Sequence, residues 1–305
     1  MSIQPNDRIG NYTVNKLLSD AGGMSSVYLA ERVDNPKRKV ALKVALSSNV
    51  SAFQDLLRDE TRVLSKLRHP GLIRVYSEDV NGRFKYAMRA IRHEDRPWYY
   101  AMEYIPGLSL EGLKSRIRRF PLEWKIELFY QILTTIDYMH KMGYAHCDLK
   151  PANILFRRTP RINELPLPVL VDFGSASPVK QIKEKIATVR YASPEIIHAL
   201  SDPNPKSHLG IRADKLDIWE LGVLLYEIVT GEALFRGNTR RIKTTILRGE
   251  IKRMSDTRLE INPSLDKLLS VMMRQNPNER PSTNAIIQAI EERISSIHPP
   301  RIDEG

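Results

Sequence analysis

Three residues of complementary chemistry stand close together in the middle of the chain. Asp148, Lys150 and Asn153 lie within residues 144–153, and Asp172 follows in the triplet Asp172-Phe173-Gly174. Phosphoryl transfer needs a base for the attacking hydroxyl, a cation beside the phosphate, and oxygen ligands for Mg²⁺. Residues 148–151 alone also fit a plain turn, because Asp and Pro favour loops. The second aspartate downstream makes phosphoryl transfer the better interpretation.

The composition is that of an ordinary globular chain. Of its 305 residues, 42% are hydrophobic and 27% are charged, and this length fits two lobes that share a cleft. The single cysteine excludes an internal disulfide. Residues 1–8 lack the apolar stretch of a signal peptide, and Glu220 and Glu227 interrupt the most apolar helix candidate. We therefore expect no transmembrane segment and a cytoplasmic location.

The net charge of +11 raises the question of anionic partners. The basic residues form small scattered groups, without a basic stripe interleaved with aromatic side chains. We therefore expect solvated surface and no nucleic-acid partner. Lys180, Lys183 and Lys185 form the group best placed to favour acidic or phosphorylated substrates.

Strand patterns come first along the chain and helix patterns afterwards. Short strands are predicted at residues 12–18, 27–32 and 40–44, with two or three more between 73 and 104. A helix is predicted from Ser51, and later helices at residues 122–142, 215–229, 265–273 and 285–294. Pro106-Gly107 interrupts both patterns and predicts a hinge. This order indicates an α+β protein with a small sheet lobe and a larger helical lobe.

Glu60 lies on the apolar stripe of the first predicted helix, near Leu64. A carboxylate that faces inward needs a partner, because an unpaired buried charge is strongly destabilising. Lys43, in the preceding strand, is the natural candidate. The alternative is a solvated glutamate at the edge of the stripe.

Taken together, the motifs resemble the eukaryotic-like (Hanks-type) serine/threonine protein kinases of bacteria. The resemblance runs from about Arg8 to Ile294 and includes Val27-Tyr28-Leu29-Ala30 after the Gly22-Gly23 pair. It implies a bilobal α+β kinase fold: an N-terminal lobe at about 8–104 with an antiparallel sheet and one helix, a hinge at about 103–108, and a mainly helical C-terminal lobe at about 109–294. Residues 295–305 are expected to be a disordered tail.

The resemblance assigns a role to each chemically active residue. Asp148 would be the catalytic base, and Lys150 would neutralise charge on the γ-phosphate. Asn153 and Asp172 would bind Mg²⁺, with Mn²⁺ as an alternative ion. Lys43 would pair with the α- and β-phosphates of ATP and with Glu60. Thr188 would tie the substrate-positioning segment to Asp148 and Lys150.

The nucleotide-binding residues are implied in the same way. The loop over the phosphates reads Asp20, Gly22, Ser25 and Val27 where three glycines and a valine are usual, so only the middle glycine of the pattern remains, with Gly23 beside it. This departure puts ATP affinity in question, because glycines let backbone amides approach phosphates closely. The other implied contacts are the gatekeeper Met102, the hinge residues Glu103 and Ile105, the adenine-facing Val27, Ala41 and Leu155, and Ser109 at the ribose.

Further positions of the resemblance are structural. Glu195 would pair with Arg280, residues 217–222 would begin a buried helix that anchors the catalytic loop, and His146 would be a packing residue. Cys147 stands where most members carry an arginine that binds a phosphate on the activation segment. Leu56 and Ser177 occupy two other positions that often help it. We therefore expect basal activity without phosphorylation of that segment.

Three functions were compatible with these residues: a serine/threonine protein kinase that uses MgATP, a pseudokinase that acts as a scaffold, and a small-molecule phosphotransferase. The weakened phosphate loop favours the scaffold. The retention of Lys43, Glu60, Asp148, Asn153 and Asp172 favours the enzyme. Lys150 and the segment from Thr188 to Glu195 favour protein substrates with serine or threonine. The sequence leaves the substrate and dimerisation open.

Overall fold

The computed structural model describes residues 3–20, 25–45, 51–182, 188–204, 206–257 and 261–297. The chain forms two compact units, Met1–Pro106 with Val171–Gly174, and Gly107–Leu170 with Ser175–Gly305. The division after Pro106 falls within the predicted hinge. Val171–Gly174, which carries Asp172, belongs to the first unit, whereas the sequence boundaries place it in the C-terminal lobe.

The first unit is built on an antiparallel sheet. Its strands are β1 (Arg8–Ile9), β2 (Tyr12–Ser19), β3 (Ser25–Arg32), β4 (Asn35–Ala45), β5 (Val75–Tyr76), β6 (Glu78–Val80), β7 (Arg83–Lys85), β8 (Ala87–Arg89) and β9 (Trp98–Glu103). Seven of them form the main sheet in the order β1-β2-β3-β4-β9-β5, with β8 also paired to β9. Helix α1 (Ser51–Leu64) is the single helix among the described residues of this unit. An antiparallel sheet with one helix confirms the predicted architecture of the N-terminal lobe.

Strand β4 changes character along its length, and this change places Lys43. Its first half, up to Lys39, is exposed, whereas Val40 to Ala45 are buried. Val40, Leu42 and Val44 point into one hydrophobic cluster together with Tyr12 of β2. Because alternate residues of a strand face opposite sides, Lys43 is directed to the other face of the sheet.

The region between β5 and β9 holds more strands than the sequence predicts. Five strands lie between Val75 and Glu103, where two or three were expected. The difference comes from the β6–β7 hairpin, which turns at Asn81 and Gly82 with φ angles of 55° and 75°. An Asn-Gly pair with both φ angles positive is the preferred two-residue hairpin turn. The pair is visible in the sequence and was the missed signal.

The second unit is mainly helical. Its helices are α2 (Leu110–Leu113), α3 (Leu122–Lys141), α4 (Pro194–Ser201), α5 (Ala213–Thr230), α6 (Thr239–Leu247), α7 (Pro263–Met272) and α8 (Thr283–Ile297). Its short strands are β10 (Tyr144–Ala145), β11 (Ile154–Phe156), β12 (Pro168–Leu170) and β13 (Ser177–Pro178), paired as β10–β13 and β11–β12. The catalytic-loop residues 146–153 lie between β10 and β11.

Helix α5 runs through the core of this unit. Every residue from Lys215 to Thr230 is buried. The helix is thus buried on all sides, as expected of a helix surrounded by protein. It ends at Gly231, whose φ of 69° is the left-handed conformation that favours glycine after a helix. The charged side chains on α5 therefore require partners within the unit.

The C-terminal ends of two helices differ from the ends predicted from the sequence. The apolar pattern of the first predicted helix extends to Leu67, but helix α1 ends at Leu64, so Leu67 packs after the helix. Helix α8 continues to Ile297, three residues into the segment predicted as a disordered tail, and residues 298–305 lie outside the described part. None of the helices described between residues 51 and 297 has the length and apolar character needed to cross a membrane.

Candidate active site

Three of the predicted side chains, Lys150, Asn153 and Thr188, lie around Asp148 of the catalytic loop. Lys150 Nζ donates to Asp148 Oδ2 at 2.7 Å, and Asn153 Nδ2 donates to the same oxygen at 3.0 Å. Thr188 Oγ1 lies 3.4 Å from Asp148 Oδ1 and accepts from Lys150 Nζ at 3.2 Å. The predicted link from Thr188 to Asp148 and Lys150 is therefore present. A carboxylate, an ammonium group and two neutral polar groups converge on one spot.

Helix α5 holds this loop by its backbone. Asp217 accepts from the His146 amide at 3.0 Å and from the Cys147 amide at 2.8 Å. His140 Nε2 lies 2.7 Å from Asp217 Oδ2. One turn later on α5, Glu220 Oε2 accepts from the Leu149 amide at 2.7 Å. The predicted anchoring of the loop by the helix segment 217–222 is present, through Asp217 and Glu220.

The loop adopts an unusual backbone conformation at Cys147. Its φ of 62° is in the left-handed region, which costs a residue other than glycine about 1–2 kcal/mol. Such strain persists when surrounding contacts fix the backbone. The amides of Cys147 and Leu149 supply those contacts through Asp217 and Glu220.

A separate cluster in the first unit surrounds Lys43. Its Nζ donates to Glu60 Oε2 at 2.8 Å, to Glu60 Oε1 at 2.9 Å and to Asp172 Oδ1 at 2.9 Å. The Phe173 amide also donates to Glu60 Oε1, at 3.1 Å. Burial lowers the pKa of Lys43, but the two carboxylates outweigh burial and leave the pKa above its usual value. The predicted Lys43–Glu60 pair is confirmed, and Lys43 is a fixed cation.

Asp172 differs from Glu60 in its exposure. Its side chain is 45% exposed, whereas that of Glu60 is 2% exposed. Asp172 also has a φ of 64°, within the left-handed region. Glu60 therefore accepts hydrogen bonds from Lys43 and the Phe173 amide inside the unit, while the carboxylate of Asp172 is exposed to solvent.

The segment after Thr188 is fixed by a bidentate ion pair. Arg280 Nη1 and Nη2 donate to Glu195 Oε1 and Oε2 at 2.6 Å and 2.7 Å. Arg280 Nη1 also donates to the Lys215 carbonyl at 2.8 Å. Fork-shaped pairs of this kind combine charge with fixed geometry. The predicted Glu195–Arg280 pair is confirmed.

Comparison with known proteins assigns the family. Residues 12–290 match the protein kinase domain family. This chain belongs to the protein kinase family. The match spans both units, including the Lys43 cluster and the catalytic loop.

Bacterial relatives of this kinase domain carry serine/threonine-protein kinase names. PknA of Mycobacterium tuberculosis is 30% identical over 281 residues, which are 89% of this chain and 58% of PknA. PknB of Mycobacterium leprae is 28% identical over 92% of this chain and 42% of PknB. PrkC of Bacillus subtilis is 28% identical over 75% of this chain and 32% of PrkC. The chain thus matches about half, or less, of the length of these relatives.

The predicted nucleotide residues of the kinase domain fall in both units. In the first, Ala41 on β4 pairs in register with Met102 on β9, and Val27 lies on β3. Glu103 donates its amide to the Arg74 carbonyl at 2.8 Å, and Ile105 is buried just beyond the strand. These placements agree with a hinge role without testing it.

In the second unit, Ser109 and Leu155 form an antiparallel bridge, and Ser109 Oγ also caps α2 by accepting from the Gly112 amide. Ser109 therefore has a structural role whatever its contact with ribose.

The phosphate loop is described only at its two ends. Asp20 Oδ1 accepts from Ser26 Oγ at 2.6 Å, and Ser25 begins β3. The Asp20 side chain is thus engaged with its own loop. Gly22 and Gly23 lie outside the described residues, as do Lys183 and Lys185 of the lysine group.

Each unit contains one of the two side chains predicted to bind Mg²⁺, Asp172 in the first and Asn153 in the second, and both carry oxygen atoms that suit this ion. Mg²⁺ takes oxygen ligands and is usually held by one or two protein groups together with substrate phosphates. Asp172 supplies an exposed carboxylate. Asn153 directs its NH₂ group to the Asp148 carbonyl and carboxylate, so its amide oxygen points away from Asp148. Within the described ranges, no group of three or more His, Cys, Asp or Glu side chains is arranged to hold a metal by protein ligands alone.

The bond of Glu220 to the catalytic loop is the site contact that the sequence did not predict. Residues 217–222, which include Glu220, were expected to anchor the loop as a segment, but no individual role was given to Glu220. Its partner is the backbone amide of Leu149, 71 residues earlier, and no side-chain pattern reveals such a bond. The available signal was its spacing: Glu220 follows Asp217 by one helical turn, on the same face of a helix that is otherwise apolar there.

Proposed function

We propose that this kinase domain transfers the γ-phosphate of MgATP to serine and threonine hydroxyls of proteins. The observation that carries this proposal is the arrangement of Lys150, Asn153 and Thr188 around Asp148. A carboxylate with an adjacent ammonium group can accept a hydroxyl proton while the cation remains beside the phosphate. The names of the bacterial relatives support the same activity and the same substrate class.

Asp148 acts as the base in this proposal. Its carboxylate is oriented by the donors Lys150 and Asn153, and its side chain is 13% exposed. The proton of the substrate hydroxyl moves to Asp148 as the oxygen attacks the γ-phosphorus, and the bond from that phosphorus to the β,γ-bridging oxygen breaks to release ADP. Lys150 stabilises the negative charge on the transferred group, and Thr188 connects the substrate-positioning segment to both residues.

The Lys43 cluster binds the nucleotide in this proposal. Lys43 supplies a permanent positive charge for the α- and β-phosphates, and Glu60 fixes its position. Asp172 and Asn153 supply oxygen ligands for Mg²⁺, with Mn²⁺ as an alternative. When bound, the ion neutralises charge on the phosphates. Adenine contacts at Val27, Ala41, Met102, Glu103, Ile105 and Leu155 complete the proposed ATP site.

The proposal includes activity without phosphorylation of the activation segment. Cys147 replaces the arginine that would bind the phosphate, and its burial, followed by the nearby Asp217 and Glu220 carboxylates, raises the pKa of its thiol well above the usual value. The protonated, buried thiol cannot bind an anion and is a poor nucleophile. Ser177, whose hydroxyl is hydrogen-bonded to the thiol, is 1% exposed and donates to the Ser175 carbonyl. The side chain of Leu56 lies outside the described part.

The alternative of a pseudokinase scaffold depends on the phosphate loop alone. That loop keeps one glycine of the usual pattern, and its centre lies outside the described residues. Whether this loop weakens ATP binding therefore stays open, whereas the cytoplasmic location and the absence of a nucleic-acid partner stay predictions. Dimerisation stays open.

The test is transfer of labelled γ-phosphate from ATP to the protein itself and to a generic basic protein. The reaction is run with Mg²⁺ and with Mn²⁺, beside the Asp148→Asn and Asp172→Ala variants. We expect label on serine or threonine, and a loss of about 10²-fold or more for Asp148→Asn. Absence of both transfer and nucleotide binding with either metal would favour the scaffold.

A further inference from the structure

We propose that Glu220 is a positioning residue for phosphoryl transfer, because its carboxyl group fixes the backbone immediately after Asp148. This inference rests on the proposed role of Asp148 as the base. It assigns to Glu220 a function in the reaction, beyond a contribution to the fold.

The hydrogen bond between the Leu149 amide and Glu220 is buried, so a water molecule cannot take the place of the carboxyl group. Glu220 Oε2 accepts from the Leu149 amide at 2.7 Å. The Glu220 residue is 5% exposed, and Leu149 is fully buried. A buried amide that loses its acceptor stays unsatisfied unless the backbone moves. Loss of the carboxyl group would therefore shift the peptide that follows Asp148.

Asp148 lies between two anchored amides. Asp217 holds the Cys147 amide on one side, and Glu220 holds the Leu149 amide on the other. Both carboxylates extend from helix α5, which is buried along its length. The two bonds together fix the direction in which the Asp148 side chain leaves the backbone. A base must lie within hydrogen-bond reach of the proton that it accepts, so this direction determines the rate.

The electrostatic environment argues against a space-filling role for Glu220. Burial raises the pKa of Glu220 well above its usual value, and the Asp217 and Asp148 carboxylates raise it further. The Leu149 amide and the Lys150 ammonium group act in the opposite direction. An apolar side chain of similar size would avoid this cost. The acceptor on Glu220 is what an apolar residue cannot supply.

Two variants separate the reach of the side chain from its charge. Glu220→Gln keeps the length and a carbonyl acceptor but removes the charge. Glu220→Asp keeps the charge, but its side chain is one methylene group shorter, so the acceptor oxygen lies farther from the Leu149 amide. Asp214→Ala is the matched control, because Asp214 is another α5 carboxylate and pairs with Arg212 at the start of the helix.

The experiment measures kcat and KM for ATP in the full chain. We expect Glu220→Asp to lower kcat about tenfold or more, since small displacements of a catalytic group have effects of this size or larger. The KM for ATP should change less than about twofold, because uniform substrate binding is retained. Glu220→Gln should keep kcat within about threefold of the wild type, since it keeps the acceptor. Asp214→Ala should match the wild type.

Three results would overturn the inference. The first is an unchanged kcat in Glu220→Asp. The second is an equal loss in Glu220→Gln and Glu220→Asp, which would assign the effect to charge. The third is a rise in the KM for ATP that accompanies every loss of kcat, which would indicate general damage to the fold.

A second measurement separates this inference from the proposed function and does not need activity. Hydrogen exchange at the Leu149 amide should be slow in the wild type and in Glu220→Gln, and faster in Glu220→Asp. A wild-type protein that transfers no phosphate would overturn the proposed function and, with it, the role of Glu220 in the reaction. An active wild type with equal exchange at Leu149 in all variants would overturn the inference alone.

Discussion

The two units of this kinase domain hold their reactive side chains by different means. In the first unit, Lys43 is held by side-chain contacts with the carboxylates of Glu60 and Asp172. In the second, the catalytic loop is held by backbone amides that donate to Asp217 and Glu220 of one buried helix. The first arrangement depends on the rotamers of three charged side chains. The second depends on backbone amides of the loop and on two carboxylates carried by a buried helix.

This difference suggests that the Lys43 cluster can rearrange, whereas the catalytic loop is ordered before any ligand binds. A side-chain ion pair can form or break when one partner moves by a few ångströms, since its energy depends on distance and solvation. A loop whose amides are paired to a core helix changes only when that core opens. We therefore expect the Lys43 cluster to be the variable half of the site and the catalytic loop to be ordered from the start.

The largest effect is expected from Asp217→Ala. The substitution leaves the His146 and Cys147 amides and the His140 ring without their acceptor in a buried place. We expect the free energy of unfolding to fall by about 4 kcal/mol or more, because each unsatisfied buried donor costs about 1–3 kcal/mol. Urea denaturation measures this change, with Asp214→Ala as the control. Equal midpoints for the two variants would show that the loop is not clamped by Asp217.

The next effect concerns the ion pair of the first unit. Lys43→Met leaves Glu60 as an uncompensated buried charge, so we expect a loss of about 3 kcal/mol of stability. The double variant Lys43→Met with Glu60→Gln should recover most of this loss, because the stranded charge is removed. It should not recover phosphate transfer. Thermal melting and the transfer assay on the same samples check both statements, and a double variant as unstable as Lys43→Met would contradict the first.

A smaller, pH-dependent effect is expected from Glu220→Gln. Burial raises the pKa of Glu220 in the folded protein, so its contribution to stability is fully present below the unfolded value of about 4.5 and is lost as the pH rises through the folded value. Glutamine does not titrate and keeps the acceptor. Its melting temperature relative to the wild type should therefore increase from pH 5 to pH 8. A constant difference across this range would show that Glu220 is not perturbed.

The smallest effect is expected on the activation segment. Ser175→Ala and Ser177→Ala should each keep transfer activity within about twofold of the wild type. The reason is that residue 147 is a cysteine and carries no positive charge to bind a phosphate on the activation segment. The assay uses phosphatase-treated protein, so that earlier modification does not contribute. A large loss that is restored by Ser175→Asp or Ser177→Asp would contradict activity without phosphorylation.

The sequence predicted those parts of the site in which side chains meet side chains. Glu60 was placed on the inward stripe of its helix and paired with Lys43, because a buried carboxylate needs a cation. The Glu195–Arg280 pair and the link from Thr188 to Asp148 followed from the resemblance to kinases, and the structure contains both.

Contacts made by the backbone were harder to predict. Residues 217–222 were expected to anchor the catalytic loop, but the bond from the Leu149 amide to Glu220 was not predicted, because every residue except proline has such an amide. The sequence boundaries place Val171–Gly174 in the C-terminal lobe, whereas it groups with the first unit through two contacts distant in sequence, Asp172 with Lys43 and Phe173 with Glu60. The turn at Asn81-Gly82 was a local signal that was present and not used.

The most direct test of the prebuilt catalytic loop is hydrogen exchange in nucleotide-free, phosphatase-treated protein. The amides of His146, Cys147 and Leu149 are compared with those in the middle of α5. We predict that the three loop amides exchange as slowly as the helix, since they open only with the core. Exchange within seconds, while α5 stays protected, would contradict the clamp and show that the loop needs a ligand or a phosphate to become ordered.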